Sequence, residues 1–236
     1  MTSYLKHLAL VAVLLTVSTP AIASSAGSRF GPIPEKGRVV AALHLSTEER
    51  DAVEYDDRYS PDYTGGYELE SDSTLVELCY GLNDSIAAGF LFGLESTVPN
   101  TGGPSEDATM MGVSVRCDPL RKGVLPFDVG IAFQYLASEK VNEGNSTVYW
   151  ERWELAFDAS KEWREALFYG GVRYSDLAYV YTHQSSYGTR EGGLDASDNV
   201  GLFLGISYEI VTRAVLSLEY RLIDVDGGSM GLAYRF

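Results

Sequence analysis

Apolar and polar residues alternate along most of this chain with a period of two, which is the side-chain period of a β-strand. In the final stretch, Met230, Leu232, Tyr234 and Phe236 share one face, while small or charged residues share the other. Alternating stretches bounded by turn residues predict ten strands. These lie near 37–46, 72–82, 85–95, 108–118, 126–138, 148–159, 165–181, 199–210, 214–223 and 228–236.

The connections between these predicted strands are of two kinds. Those after even-numbered strands are tight, whereas most of those after odd-numbered strands are long, at 47–71, 96–107, 139–147 and 182–198. An even strand number, with short turns at one end and long loops at the other, is typical of a membrane barrel with both termini at the short-turn end. We therefore expect an all-β fold, a closed antiparallel transmembrane β-barrel of about ten strands, with eight as the alternative.

The two faces of each predicted strand differ in the free energy needed to place them in lipid. Turning the second face of strand 214–223 to lipid would place Arg221 in hydrocarbon, at about 2–4 kcal/mol near the midplane. The apolar faces are therefore expected to meet lipid. A soluble barrel with its apolar side chains inside is the alternative, but the opposite faces are rich in glycine, which weakens a solvated outer strand.

With the apolar faces outward, the lumen collects charges of both signs, and all of its cations are arginines. The predicted lumen residues are Arg38, Glu77, Glu95, Arg116, Asp128, Arg152, Glu154, Asp158, Arg173, Glu209, Glu219, Arg221 and Arg235. About ten strands enclose little more room than eight, whose interior side chains can fill. We expect these charges to form a salt-bridged plug, since arginine forks can serve several carboxylates; a narrow polar solute channel is the alternative.

The N-terminus has the organisation of an export signal. Residues 1–23 combine Lys6 and His7, an apolar run of about ten residues and an Ala21-Ile22-Ala23 cleavage site. That run is shorter than the roughly twenty residues of a membrane-spanning helix. We predict a signal peptide at 1–23, a periplasmic segment at 24–36 and the barrel at 37–236.

The closing strand resembles the last strand of bacterial outer-membrane β-barrels, which ends on an aromatic residue such as Phe236. The general plan is similar to that of the small OmpA, OmpX and Opa type barrels. The resemblance implies a monomer in the outer membrane of a Gram-negative bacterium, surrounded by lipids that include lipopolysaccharide. It also implies that the barrel-assembly machinery reads Met230, Leu232, Tyr234 and Phe236 as an insertion signal.

The formal net charge of −15 argues against nucleic acid as a partner, because a polyanion would be repelled. Much of the acid lies in the predicted loop 47–71, which also carries Tyr55, Tyr59, Tyr63 and Tyr67. Pro61, Gly65 and Gly66 argue against a helix there. We interpret this segment as a solvated surface loop; recruitment of divalent cations or contact with a protein or glycan is the alternative.

One short motif could carry chemistry. His183 and Ser185 are two residues apart, which places an imidazole and a hydroxyl on one side of a strand. The fragment resembles the His-x-Ser motif of outer-membrane lipid A deacylases, although Ser186 stands where that family has asparagine. A bulge near Asp176 would turn the motif to lipid; without one, His183 points into the lumen. An ester hydrolase acting on lipid A is therefore an alternative function.

The sequence contains no zinc-spaced cysteines or histidines, no phosphate-cradling loop and no nucleophile elbow. We accordingly expect no metal and no cofactor. Cys79 and Cys117 fall on predicted strands separated by a third, about 9–10 Å apart and beyond disulfide reach, so we favour two free thiols. The leading interpretation is a non-enzymatic surface barrel that displays acidic, tyrosine-rich loops.

Overall fold

The computed structural model describes residues 34–56, 66–99, 106–120, 126–143, 146–164, 166–185, 188–196 and 199–236. Within these ranges the chain forms twelve β-strands and no helix long and apolar enough to cross a membrane. The strands are β1 (Val39–Asp56), β2 (Gly66–Asn83), β3 (Ile86–Pro99), β4 (Glu106–Leu120), β5 (Asp128–Ser138), β6 (Val141–Glu143), β7 (Ser146–Trp163), β8 (Ala166–Ser185), β9 (Gly188–Ala196), β10 (Val200–Val211), β11 (Ala214–Leu222) and β12 (Asp226–Arg235).

The strands form one antiparallel sheet that closes on itself. Each strand pairs with its neighbour around the ring, and β1 closes the barrel by pairing with β12 over Val40–Glu49. The short β6 continues the line of β5, because both pair with β7. Likewise β9 and β10 follow one another along β8. The prediction of a closed barrel of ten strands is confirmed.

The barrel does not have the same circumference throughout. In its lower part, the end that holds both termini of the barrel, β10, β11 and β12 lie between β8 and β1. Above Glu49, β1 instead pairs directly with β9 through Ala52–Asp56. The upper barrel therefore closes through one strand where the lower barrel uses three, and the β11–β12 hairpin ends beneath that crossing.

Several strands are longer than the sequence pattern predicted. The predicted loop 47–71 is wrong over most of its length, because β1 runs on to Asp56 and β2 begins at Gly66. The predicted loops 139–147 and 182–198 also contain strand, in β6 and β9. The strand β1 has 18 residues and is roughly 60 Å long. A β-strand needs only about 9–11 residues to cross a membrane, so β1 is nearly twice as long as the membrane requires. Beyond the lipid both faces can be polar, so the hydrophobic alternation ends while the backbone pairing continues.

The outer surface of the lower barrel is a continuous apolar band. Its most exposed side chains include Phe90, Phe92, Leu94, Met111, Val113, Val115, Phe168, Val172, Leu202, Leu204, Leu218 and Met230. All of these are more than 40% exposed, which a water-soluble protein of this size does not sustain over one contiguous surface. The band is consequently the surface that requires an apolar solvent.

The segment that precedes β1 lies against the lower mouth of the barrel. Pro34 is buried, Gly37 donates a backbone hydrogen bond to Gly81, and Lys36 forms a parallel bridge with the same residue. A side chain at Gly81 would collide with the carbonyls of Pro34 and Glu35. Glycine at this position is what allows the segment to approach so closely.

Candidate functional site

The most unusual feature of the interior is a layer of buried ions at mid-height. Five carboxylates and four guanidinium groups lie there, each no more than 7% exposed. They are Glu48, Arg50, Glu95, Arg152, Glu154, Arg173, Glu219, Arg221 and Asp224. We refer to these nine residues as the ionic layer.

One half of the ionic layer is organised around Glu48. Its carboxylate accepts from Arg221, which is fully buried, and from Arg152 at 3.3 Å. Arg152 reaches Glu95 at 3.2 Å, and Arg221 donates through Nε to Glu219 at 3.1 Å. Each arginine therefore bridges two carboxylates from different strands, as its planar fork permits.

The other half is organised around Asp224, which lies in the turn between β11 and β12. Its carboxylate accepts from Arg173 at 3.1 Å and from the hydroxyl of Ser175 at 2.7 Å. That hydroxyl in turn lies 2.9 Å from Arg50, while Arg173 also pairs with Glu154 at 3.4 Å. The hairpin tip is thus held inside the wall by β8.

Holding the tip there strains the backbone. Ile223, next to Asp224, has φ of 84° and is 70% exposed, whereas Asp224 and Val225 are almost fully buried. A β-branched residue at positive φ is a genuine outlier, and it persists only where its surroundings enforce it. The Asp224 contacts with Arg173 and Ser175 supply that constraint.

Apolar side chains fill the lumen beside and above the ionic layer, and we refer to them as the apolar cluster. The cluster comprises Ala52, Leu69, Leu75, Leu91, Ala108, Met110, Leu136, Val148, Trp150, Leu177, Tyr179 and Leu194. Trp150 is fully buried, stacks on Tyr179 with ring centroids 6.1 Å apart, and donates its indole N–H to Glu95 at 2.8 Å. That bond joins the apolar cluster to the ionic layer.

Smaller polar groups occupy the lumen below the ionic layer. Arg116 lies 3.2 Å from Asp118 and 3.8 Å from Asp158, while Glu77 accepts from Ser114 and lies 3.2 Å from His44. An interior cavity of about 20 Å³ is lined by His44, Ser46, Ser73, Leu75, Leu91, Gln134, Arg221 and Ser229. A space of this volume is about that of one water molecule.

The predicted lumen residues divide into three groups and two separate positions. Glu95, Arg152, Glu154, Arg173, Glu219 and Arg221 lie in the ionic layer, while Glu77, Arg116 and Asp158 lie buried below it. Arg235 and Glu209 are closer to the lower mouth, 3.9 Å apart. Asp128 is half-buried at the start of β5, and Arg38 is exposed just before β1.

Three members of the ionic layer were not among the predicted residues. Glu48 and Arg50 lie in the part of β1 that was interpreted as loop, and Asp224 lies in a predicted turn. The first two do share the parity of His44 and Ser46, which would have placed them inward had the strand been extended. Asp224 carries no such signal, because its position depends on Arg173, which is distant in sequence.

His183 and Ser185 both lie on β8, and the structure describes their backbone only. The pairing of β7 with β8 runs without a shift from Ala166 to His183, so there is no bulge at Asp176. By strand alternation, His183 has the parity of Leu177 and Tyr179, which are inward and buried. Ser186, the residue that follows the motif, lies outside the described residues.

The two cysteines and the closing strand can also be placed. Cys79 is buried on the inner face of β2, whereas Cys117 is half-buried on the outer face of β4; both are free. Met230, Leu232 and Tyr234 lie on the outer face of β12, and the backbone N–H of Phe236 donates to Val39 at 3.0 Å. Within the described ranges, no three His, Cys, Asp or Glu side chains converge as a metal site would need.

No protein-family model and no curated protein matches this chain. Several solved structures are similar in fold. Ail, the attachment invasion locus protein of Yersinia pestis, is 11% identical, with a TM-score of 0.37 and coverage of 85% of this chain and 99% of its own. The outer membrane protein OprG of Pseudomonas aeruginosa is 12% identical, with a TM-score of 0.40 over 86% and 97%. The β domain of the Bordetella autotransporter BrkA is 10% identical, with a TM-score of 0.45 over 85% and 99%.

Proposed function

We propose that this protein is an integral barrel of the bacterial outer membrane whose closed lumen serves as a rigid scaffold for its exposed upper wall. The observation that carries the proposal is the contrast between the apolar outer surface of the barrel and its charged interior. Apolar side chains cover the outside of the lower barrel, while the ionic layer is buried within it. Only a closed barrel can satisfy its backbone in lipid with strands, and lipid is the solvent that such an outer surface needs.

Two groups of interior side chains support a closed lumen rather than a channel. The ionic layer pairs its carboxylates and guanidinium groups across the barrel, and the apolar cluster beside and above it contains the fully buried Trp150, Met110 and Leu136. A permeating ion would have to break buried salt bridges and pass these tightly buried apolar side chains, and both steps are costly.

The upper wall supports a role in surface contact. Above the apolar band, its outward positions carry Glu49, Asp51, Glu68, Glu70, Asp72, Asp107, Glu139, Glu151, Asp176, Asp195 and Asp226. Crowding raises the pKa of Glu49, first through its hydrogen bond with Glu68 and then through the charge of that residue. This wall favours cationic or uncharged partners over polyanions. The segment 57–65, which carries Tyr59 and Tyr63, lies outside the described residues.

The topology also supports assembly through the closing strand. Signal-directed export, a monomeric state and recognition of Met230, Leu232, Tyr234 and Phe236 by barrel-assembly machinery are parts of the proposal. Tyr234 and Phe236 form an edge-to-face pair at 5.1 Å at the lower edge of the band, where that strand meets β1.

Fractionation and planar-bilayer recording test this function. The protein should be found in the outer-membrane fraction, should need detergent for extraction, and should give no stable single-channel steps when a diffusion porin reconstituted in the same way does. Recovery of folded protein from detergent-free periplasmic extract would contradict the membrane placement. Reproducible unitary conductance would contradict the closed lumen.

A further inference from the structure

The wall of the lower barrel has a broad depression. It has a volume of about 1090 Å³ and crosses six neighbouring strands, β8, β10, β11, β12, β1 and β2. Five of these strands each line it with two outward residues and the inward residue between them, as Leu218, Glu219 and Tyr220 do on β11, while β8 contributes Phe168 and Tyr169. Among the described residues, none from β3, β4, β5 or β7 lines it. The depression therefore lies on the outside of the barrel, and we call it the outer groove.

Small inward side chains allow the wall to lie closer to the barrel axis at this level. Ser46, Ser73 and Ser229 are cross-strand neighbours on β1, β2 and β12. The same three serines line the interior cavity of about 20 Å³ together with Gln134. Gln134 belongs to β5, which lies diametrically across the ring from β12. Opposite walls therefore approach until only the space of about one water molecule separates them, and the outer surface is correspondingly concave.

The outer groove changes from apolar to acidic along its length. At the end formed by β8 and β10, its outward residues are Phe168, Leu204 and Ile206, which continue the apolar band. At the end formed by β1 and β2, they include Thr47 and Asp72, which are exposed and hydrogen-bonded to each other. One end of the groove is therefore suited to hydrocarbon and the other to a polar group.

Further carboxylates lie directly above the acidic end. Asp226, Glu49 and Glu70 are cross-strand neighbours on β12, β1 and β2, two residues further up than the groove, and all three are exposed. With Asp72 they place four carboxylates together, and no lysine or arginine shares these two outward rows. An ammonium group is attracted to such an end, whereas a headgroup with only negative charge is repelled.

We propose that the outer groove binds one membrane lipid whose headgroup carries an ammonium group. Its acyl chains lie on Phe168, Ile206 and Leu218, and its ammonium group lies beside Asp72. The groove is continuous with the apolar band, so hydrocarbon is the material that contacts it. Its volume is comparable with that of the larger ligand sites, which are usually about 300–1,000 Å³.

The shape and charge of the groove favour a lipid over a second copy of this chain. A two-fold dimer brings the same surface of each copy together. Two depressions that faced each other would enclose unfilled space, which a packed interface does not have. In a membrane both copies would also stand the same way up, so their acidic ends would face each other and repel. A flexible acyl chain, in contrast, adapts to a concave surface.

The proposal rests on the membrane placement proposed above, which gives the groove its lipid neighbours. The chain also supplies a position at which the groove can be filled. Gly228 lines it, and a Cβ added there would have only the carbonyl oxygen of Glu219 within 4 Å, at 3.7 Å. Gly228→Phe should therefore occupy the groove without a collision. Ala159→Phe is the matched control, because Ala159 is exposed on the outward face of β7, outside the groove.

Native mass spectrometry of the lipid-bound protein tests the proposal. The protein is reconstituted in vesicles of equal amounts of phosphatidylethanolamine and phosphatidylglycerol with identical acyl chains, and is then extracted in mild detergent. Both lipids contain a phosphate, and only the first carries an ammonium group. The wild type should retain one phosphatidylethanolamine in preference to phosphatidylglycerol. Folding of every variant is checked by its heat-modifiable mobility in gels.

The variants separate the acyl chains from the headgroup. Gly228→Phe should retain about tenfold less lipid, because the ring takes the place of acyl-chain contacts, whereas Ala159→Phe should retain as much as the wild type. Asp72→Asn should still retain lipid but lower the preference about threefold, as expected for the loss of one exposed ion pair. Asp107→Asn makes the same change on β4, outside the groove, and should leave the preference unchanged.

The opposite results are equally clear. No retained lipid in the wild type, equal retention of the two lipids, or undiminished retention by folded Gly228→Phe would overturn the proposal. Equal effects of a variant and its control would do the same, and so would a dimer in place of a lipid-bound monomer. Loss of lipid retention in a protein that still fractionates with the outer membrane would remove this inference alone, since membrane placement is judged by fractionation.

Discussion

Replacement of Arg221 by methionine tests whether the ionic layer holds the barrel together. Arg221 is fully buried and lies between Glu48 and Glu219. Methionine has a similar volume but no charge, so the variant would keep much of the packing and lose the cation. Both carboxylates would remain buried, although Glu48 would keep its 3.3 Å contact with Arg152.

The expected loss is large for one substitution. Removal of one partner from a buried ion pair costs about 3–5 kcal/mol, because the remaining charge is left without compensation. A second substitution, Glu219→Gln, in the same chain should restore part of that loss. The coupling between the two changes should fall within about 0.5–3 kcal/mol, the usual range for groups in contact.

Equilibrium unfolding in urea, followed by tryptophan fluorescence in lipid vesicles, measures these changes. Arg164→Met is the control, since it makes the same chemical change at an exposed position and should cost less than about 1 kcal/mol. Equal losses in Arg221→Met and Arg164→Met would refute the reasoning. So would a double variant no more stable than Arg221→Met.

Three further expectations concern the backbone and the thiols. Gly171→Ala should destabilise the barrel by about 1–3 kcal/mol, because the added Cβ would collide with a carbonyl of β7. Gly228→Ala should be nearly neutral, because the atom closest to its added Cβ, the carbonyl oxygen of Glu219, is 3.7 Å away. Urea unfolding of both variants measures the difference. Ile223→Gly should raise the free energy of unfolding by about 1 kcal/mol, since relief of positive-φ strain exceeds the added entropy of the unfolded chain; unchanged or lower stability would contradict it. Under non-reducing, denaturing conditions a maleimide should label both Cys79 and Cys117, as mass spectrometry would show, while the folded protein should protect Cys79; an unlabelled denatured chain would indicate a disulfide.

The part of the fold that meets lipid could be predicted from sequence because lipid makes the two faces of a strand chemically opposite. Leu202, Leu204 and Leu218 fall on the apolar faces that were expected to meet lipid, and all three are exposed on the apolar band. Above the band water reaches the outer face, so Glu49 and Asp51 look like loop residues although they belong to β1. Periodicity therefore underestimates any strand that leaves the membrane.

The interior was predictable only in part. Arg152 and Arg173 were assigned to the lumen because no outward position could hold them. Which carboxylate each would meet depends on strand register and on the hairpin tip that carries Asp224, and neither has a local signal. The apolar cluster was missed because Leu91 and Met110 are inward positions scattered over separate strands, and they come together only after closure.

The change from three closing strands to one limits how the first strand can separate from the rest. Its lower half meets the last strand over Val40–Glu49, but Ala52–Asp56 is hydrogen-bonded to β9, which is also paired with β8. The seam between the two ends of the barrel therefore cannot unzip along its full height. Any sideways exit into the bilayer is confined to the lower half of the wall, and the exposed rim stays intact even when the termini part.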